Sequence, residues 1–390
     1  MRWKKKSGRN WGRLGLASKL NDICSYAKGK TAVAGLTTQN YISTENMLPN
    51  KGGITTATNL PSVDQTQAYR KNDVLVSNIR PYFKKIWHAE YDGGCSNDVL
   101  VFRAAEGVDP IFLYYVLADD TFFNYATATS KGTKMPRGDK SAIMEYGVPT
   151  LDIEAQRKIG ALLRSIDQKI AINSKINDNL QQQASALFAQ YYEQASDTVP
   201  FTSVIQILGG GTPKTGDPLF WNGNVPFFTP KDVGAPYTLT TEKTITEDGL
   251  DHCNSRIYPV NTVFVTARGT VGKVGMPGVP MAMNQSCYAL VGKDIDQLMV
   301  YFYTLQTVQA LKHKASGAVF DAITTRDFET ETIRLIADDA AAEFLSVATP
   351  MFGQILGNSI ENQRLAELRD ALLPRLMAGE IDVSGIDLSC

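Results

Sequence analysis

From Ile159 to Tyr191 the chain carries a heptad that does not slip. Ile159, Leu163, Ile166, Ile170, Asn173, Asn177, Leu180, Ala184, Leu187 and Tyr191 follow one another in alternating steps of four and three residues, the spacing that keeps one seam of a helix turned toward a partner helix. A partner of the same design lies near the other end of the sequence. There ILGNSIENQRLAELRDALLPRL overlies IAINSKINDNLQQQASALFAQY, placing Ile170 on Ile355, Asn173 on Asn358, Asn177 on Asn362, Leu180 on Leu365 and Leu187 on Leu372, at a constant offset of 185 residues (355 − 170). Two similar helices, each closing one half of the chain, describe a duplicated protein.

The duplication extends beyond the helices. NTVFVTARGTVGKV (261–274) matches NDVLVSNIRPYFKKI (72–86), FFTPKDV (227–233) returns 186 residues after YISTENM (41–47), and the helical run at 111–126 is replayed from Asp296 to Lys312. SKGTKMPRGDKSAI (130–143) is answered by ASGAVFDAITTRDF (315–328). Short β-type runs broken by turns, mixed with helical patterning, give an α+β protein of two similar α/β domains. A repeat of this size implies two domains related by a pseudo-twofold and separated by two long antiparallel coiled-coil helices, since a solenoid needs a period of about 20–50 residues. The expected division is a first domain over 1–151, a first spacer helix over 152–195, a second domain over 196–336, a second spacer helix over 337–377 and a tail over 378–390. At 390 residues, 43% of them apolar, each half can bury its own core.

Asp152 caps the first helix, and about forty residues at 1.5 Å each make a rod of roughly 60 Å. The second helix contains Pro350, Gly353 and Gly357, which predict a kink or a late start near Pro350. Two placements of the asparagines are open. Asn173, Asn177, Asn358 and Asn362 line the seam and fix its register, or they face solvent while the seam runs through Ile172 and Ile176.

Residues suited to catalysis are missing. Gly29-Lys30-Thr31 ends like a phosphate loop, but Cys24 occupies the place of its leading glycine, and Gly269 to Lys273 fails in the same way at Ala267 and Val274. His88, His252 and His313 have no Cys or carboxylate at ligand spacing. Asn78-Ile79-Arg80-Pro81-Tyr82 misses an amino-methyltransferase tetrapeptide by its spacing, and no Glu-x-Lys nuclease triplet occurs. The five cysteines form no CxxC pair and read as reduced cytosolic thiols. Val274 to Gly292 is too interrupted by Gly, Pro, Asn and Gln to span a membrane, and no apolar run follows the charged N-terminus as a signal peptide requires.

What remains is positive charge on turns. Net charge is only −1, yet the first thirty residues hold Arg2, Lys4, Lys5, Lys6, Arg9, Arg13, Lys19, Lys28 and Lys30 against Asp22 alone; a solvated basic end and a nucleic-acid contact both fit. Beside Gly and Pro in the first half lie Arg80, Lys84, Lys85, Lys131, Lys134, Arg137 and Lys140. The second half offers Lys214, Lys231, Arg268, Lys273, Lys312, Lys314 and Arg326. Any one of these can be an ordinary surface charge. Their recurrence in both halves favours loops that read bases and hold phosphates from a rigid scaffold.

The chain resembles the DNA-specificity subunit of type I restriction-modification systems. The likeness runs from Leu14 to Val383 and rests on YISTENML (41–48), SKGTKMPRGDKSAI (130–143), IEAQRKIGALLRSIDQKI (153–170) and ALLPRLMAGEIDV (371–383). The resemblance implies two target-recognition domains, each reading one half of a bipartite asymmetric site in double-stranded DNA. It also implies helices that dock two modification subunits in the cytoplasm, with restriction subunits joining through the complex. S-adenosylmethionine, ATP and magnesium are then expected on those partners, with no cofactor on this chain. The second half departs from the pattern, having Val319-Phe320-Asp321-Ala322 where the first has Lys-Met-Pro-Arg. Two other classes compete: a self-contained methyltransferase or nuclease, which the missing motifs disfavour, and a coiled-coil adaptor without DNA specificity, which would not need two duplicated α/β domains.

Overall fold

Val74, Leu75 and Val76 are buried without a break, because their strand is covered on both faces. The computed structural model describes residues 18–234, 236–314 and 322–386; the basic run from Arg2 to Arg13, Leu14, Val319, Phe320, Asp321 and Cys390 lie outside the described residues. Two compact units emerge, one holding residues through Lys169 with those from Leu365 on, the other Ile170–Arg364.

In the first unit Val74–Ser77 is central to an antiparallel sheet ordered Cys24–Tyr26, Val99–Ala104, Val74–Ser77, Ile86–His88. Val74, Val76, Leu100 and Phe102 point to a core with Phe112, Leu113 and Val116, while Leu75, Val99 and Val101 point to the opposite side with Tyr69 and Cys95. That opposite side is closed by a second sheet, Lys30–Ala32, Gln65–Tyr69, Gly93–Cys95 and Tyr41–Ile42, whose last pairing is parallel. The helical run at 111–126 proves to be two helices, Pro110–Ala118 and Asp120–Ala128. Asp119 separates them: its backbone is extended, and its carboxylate accepts the Thr121 amide at 2.7 Å as an N-cap.

The second unit repeats this plan. Val263–Thr266 lies inside a five-stranded sheet, with Val263 and Val265 in one core and Phe264 in another. Trp221–Phe228 ends in a parallel pairing of Phe227 with Ala282, as Tyr41 pairs with Gly94. Its counterpart to the broken pair of helices is a single helix, Gln297–Lys314.

The long helices are Ile153–Gln194 and Asp338–Met377. The late start expected at Pro350 does not occur. Pro350 and Ser346 both lie on the solvent face, where the carbonyl deprived of its amide partner remains accessible, and Gly353 and Gly357 have open space around them. The helices run antiparallel, since Asp167 meets Arg369 at 2.7 Å within the first unit, while Asn173 meets Asn362 and Phe188 meets Phe344 in the second. In the first unit Ile159, Leu163, Leu373, Leu376 and Met377 join the same core as the strands.

The asparagines settle which stripe is the seam. Asn173 and Asn358 are 1% and 4% exposed, whereas Ile172 and Ile176 are 54% and 41% exposed. The Asn173 amide donates to Asn362 Oδ1 at 2.9 Å and to Glu361 Oε2 at 2.7 Å, and the Asn358 amide donates to Asn177 Oδ1 at 2.8 Å. Because Asn358 and Asn362 are the repeats of Asn173 and Asn177, the two bonds are one contact with the helices exchanged, a local two-fold within this pair. Of the other seam positions, Ile166 and Ile355 are buried and Ile170, Leu180 and Leu365 are half-buried. At the distal end the pattern shifts by one: Phe188 and Leu373 are 1% and 4% exposed, and the predicted Leu187 and Leu372 sit beside them half-buried. Asn173→Ala removes a buried donor pair and strands Asn362 Oδ1, so it should lower stability by about 1–3 kcal/mol, measured as the midpoint of urea unfolding; an unchanged midpoint would show the layer to be energetically idle.

Candidate nucleic-acid interface

Three segments of the first unit are drawn together by main-chain bonds. Asn78 N donates to Asp98 O at 2.8 Å, Arg80 N to Pro136 O at 2.8 Å, and Gly138 N to Asn78 O at 3.2 Å. The 131–137 loop closes on itself through paired bonds between Lys131 and Arg137, 2.9 Å each way, with Gly132 at φ +97 making the turn that L-residues resist. A fourth segment joins where Asn50 N and Lys51 N donate to Phe83 O and Lys84 O, both at 2.8 Å. Asn50, Lys51, Arg80 and Lys84 all have positive φ, a cost that these ties must meet. The rim so formed carries Lys51, Arg80, Lys84, Lys131, Lys134 and Arg137, with Tyr82, Phe83 and Met135 exposed among them.

The cations are not equivalent. Lys84 and Lys51 both reach Asp120, at 2.8 and 3.0 Å; burial pushes the Asp120 carboxyl up, but the two ammonium groups outweigh it and hold it below its ordinary value. Lys131 pairs with Asp139, whose carboxylate raises the lysine, and Arg137 pairs with Asp98 at 3.0 Å. The Lys131 and Arg137 side chains are exposed, where ion pairs hold only weakly, so a phosphate can replace the carboxylate there at little cost. Lys85 is committed elsewhere: its Nζ donates to Thr44 O at 2.6 Å and staples the 43–46 turn to the sheet. Lys134 is exposed at the loop tip and Lys140 at the start of the short helix Lys140–Met144, and neither side chain has an acceptor among the described residues. Lys140 borders, with Lys28 and Lys30, a hollow of about 400 Å³.

The second unit builds the same turns from different residues. Thr229 N and Oγ1 bond Asp232 Oδ2 at 2.8 and 2.6 Å, as Ser43 N and Oγ bond Asn46 Oδ1 at 2.6 and 3.2 Å. Arg268 follows the central strand with its backbone bridged to Ala322, as Ile79 is bridged to Arg137 in the first unit, and Ile323 N donates to Ala267 O at 2.9 Å. Thr270 Oγ1 donates to Pro230 O at 3.1 Å, bringing Lys231 to this edge, where it approaches Glu242 at 3.6 Å. Lys273 is exposed on the same turn. Two predicted residues are structural instead: Lys312 Nζ donates to Gly272 O at 2.6 Å, and Lys314 Nζ pairs at 2.6 Å with Glu331, whose side chain is 6% exposed. The Lys314 side chain is itself 64% exposed, so it neutralises the buried carboxylate from the surface. Lys214 and Arg326 are exposed; Arg326 follows the 322–323 segment that is bonded to the Arg268 turn, whereas the Lys214 segment has no main-chain bond to that turn among the described residues.

Two rim cations escaped the sequence reading. Lys51 lies in PNKGG, where the turn residues were a usable signal, whereas Lys243 stands 5.5 Å over the Trp221 ring with nothing in its sequence to mark it. Among the described residues no cluster of His, Cys, Asp or Glu could hold a metal. Burial pushes the Cys24 and Cys95 thiols up to about 12 and His88 down to about 4, which leaves them uncharged at neutral pH. No helix among the described residues is long and apolar enough to cross a membrane.

A model of the type I restriction modification DNA specificity domain matches twice, over residues 17–182 and 195–346. The chain belongs to this family. It is 25% identical to the type I restriction enzyme HindI specificity subunit of Haemophilus influenzae, over 87% of this chain and 94% of that protein. It is also 29% identical to the MjaIX specificity subunit of Methanocaldococcus jannaschii, over 32% of this chain and 30% of that one. The crystal structure of a type I restriction-modification S subunit from M. genitalium superposes with a TM-score of 0.61 at 12% identity, covering 93% and 96% of the two chains, a likeness of fold. Each specificity domain therefore carries one of the two loop clusters described above.

The cohesion of the first cluster can be tested without a ligand. A Cβ at Gly138 would lie 2.8 Å from both Asn78 Oδ1 and Ile143 Cδ1, so Gly138→Ala should cost about 1–3 kcal/mol and speed hydrogen exchange at the Arg80 and Gly138 amides. Exchange as slow as in the parent chain would show that the loops are not held by these bonds.

Proposed function

We propose that this chain is the sequence-specific DNA-binding subunit of a type I restriction-modification complex. Each specificity domain reads one half of a bipartite, asymmetric double-stranded target. The observation that carries the reading is the recurrence, in both units, of one loop cluster at the end of the central strand, tied by main-chain bonds and furnished with cations, joined in the first unit by exposed Tyr82 and Phe83. Cations neutralise phosphates and aromatic or amide groups meet base edges. In this reading the paired long helices dock two modification subunits, and restriction subunits join through that complex. S-adenosylmethionine, ATP and magnesium belong to those partners, catalysis is theirs, and the assembly works in the cytoplasm. Lys51, Lys84, Lys131, Lys134, Arg137, Lys231 and Lys273 are phosphate-holding candidates; Lys85, Lys312 and Lys314 hold the fold.

Replacing residues 1–151 by the corresponding domain of a relative should change one half of the methylated motif and leave the other intact. Sequencing of methylated genomic DNA checks this, and a change in both halves would sink the modular reading.

The salt dependence of binding should separate the cations. Lys134→Ala, which removes an unpaired charge, should lower the slope of log affinity against log salt by about one unit on all sequences alike. Arg137→Ala should do less, because Asp98 already holds that guanidinium in the free protein. No effect of either substitution in anisotropy titrations of the assembled complex would mean that the 131–137 loop does not face DNA.

A further inference from the structure

Arg80 differs from every other cation on the first rim. Its backbone is left-handed, φ 50, and is fixed by the bond from its amide to Pro136 O at 2.8 Å. Its guanidinium carbon lies 6.0 Å from the centre of the Phe83 ring, and its Nε is buried with no acceptor among the described residues. The carboxylates of this face are taken: Asp120 by Lys51 and Lys84, Asp139 by Lys131, Asp98 by Arg137. A strained, half-buried arginine without a counter-ion, aimed by an aromatic ring, is costly to keep in the free protein. Such a group is preorganised for an acceptor that the chain itself does not supply.

We propose that Arg80 is a specificity-determining residue whose planar fork reads a guanine in the half of the target assigned to the first domain, while the paired lysines around it hold phosphates. This rests on the DNA-reading function proposed above. The exposed lysines can follow a phosphate as flexible point charges, but a guanidinium held in one direction matches the paired O6 and N7 acceptors of guanine in the major groove. In the second unit the matching position is Gly269, at φ +82, whereas Arg268, bridged to Ala322, sits where Ile79 is bridged to Arg137. The role therefore belongs to the first domain alone, whose half-site must contain at least one G·C pair.

The test uses the chain assembled with its modification subunits, and duplexes of the methylated motif in which each guanine in turn is replaced by 7-deazaguanine, which lacks the N7 acceptor. The parent complex should lose about 5- to 150-fold in affinity at one guanine of one half. Arg80→Lys keeps the charge but not the fork. It should bind the unmodified duplex more weakly by a similar factor, become indifferent to 7-deazaguanine at that position, and keep the parent affinity for random duplex. The proposal is overturned if Arg80→Lys discriminates every 7-deazaguanine as the parent does, or if it weakens binding to specific and random duplexes equally, which would mark a phosphate contact or a damaged fold. If the parent complex shows no sequence preference at all, it is the underlying DNA-reading function that fails.

Discussion

A helix of forty residues with one apolar stripe cannot bury that stripe alone, and most helical stability comes from tertiary packing of the stripe. Here that need is met antiparallel, seam to seam, and the seam is interrupted where an apolar residue would be expected. Asn173 with Asn362, and Asn358 with Asn177, satisfy one another at 2.8–2.9 Å. Shifting the helices by one turn would leave buried amides unpaired, at about 1–3 kcal/mol for each. Leucine at the same positions would tolerate such a shift. The polar layer therefore trades stability for a single register, the best-attested use of buried polar groups in helix pairs.

Much of the architecture was legible because the chain states it twice. DVLVS and TVFVT are continuous apolar runs, which a strand covered on both faces requires, and the 186-residue return of YISTENM as FFTPKDV survives as the same side-chain-capped turn despite sharing few residues. What could not be read was decided by surroundings. Asp119 looks like an ordinary helix residue until its side chain is seen capping the next helix. Pro350 would break a helix whose backbone was enclosed, but it falls on the open face. Phe188 displaced Leu187 from the seam because it stacks on Phe302 at 4.9 Å, a contact between segments that no local period announces.

The charged residues show a similar limit. Lysines on turns look alike in a sequence, yet the structure sorts them by what they already hold. Lys85 and Lys312 donate to main-chain carbonyls and Lys314 to a buried carboxylate, whereas Lys51 and Lys84 share the exposed carboxylate of Asp120 and Lys131, itself exposed, rests on Asp139. The sign of the charge was visible in the sequence; its availability depended on partners 8 to 69 positions away.

The ties that shape the loop cluster run almost wholly through the main chain: Arg80 N to Pro136 O, Gly138 N to Asn78 O, and Lys131 against Arg137 in both directions. Amides and carbonyls are common to nearly all residues, so side chains between Lys131 and Arg137 can be exchanged while the loop keeps its course, provided that Gly132 and Gly138 remain. The cluster is thus a mount with replaceable fittings. A lineage carrying it could acquire a new preference by a few substitutions at the tip, with the sheets beneath left untouched and the rest of the sequence free of compensating change.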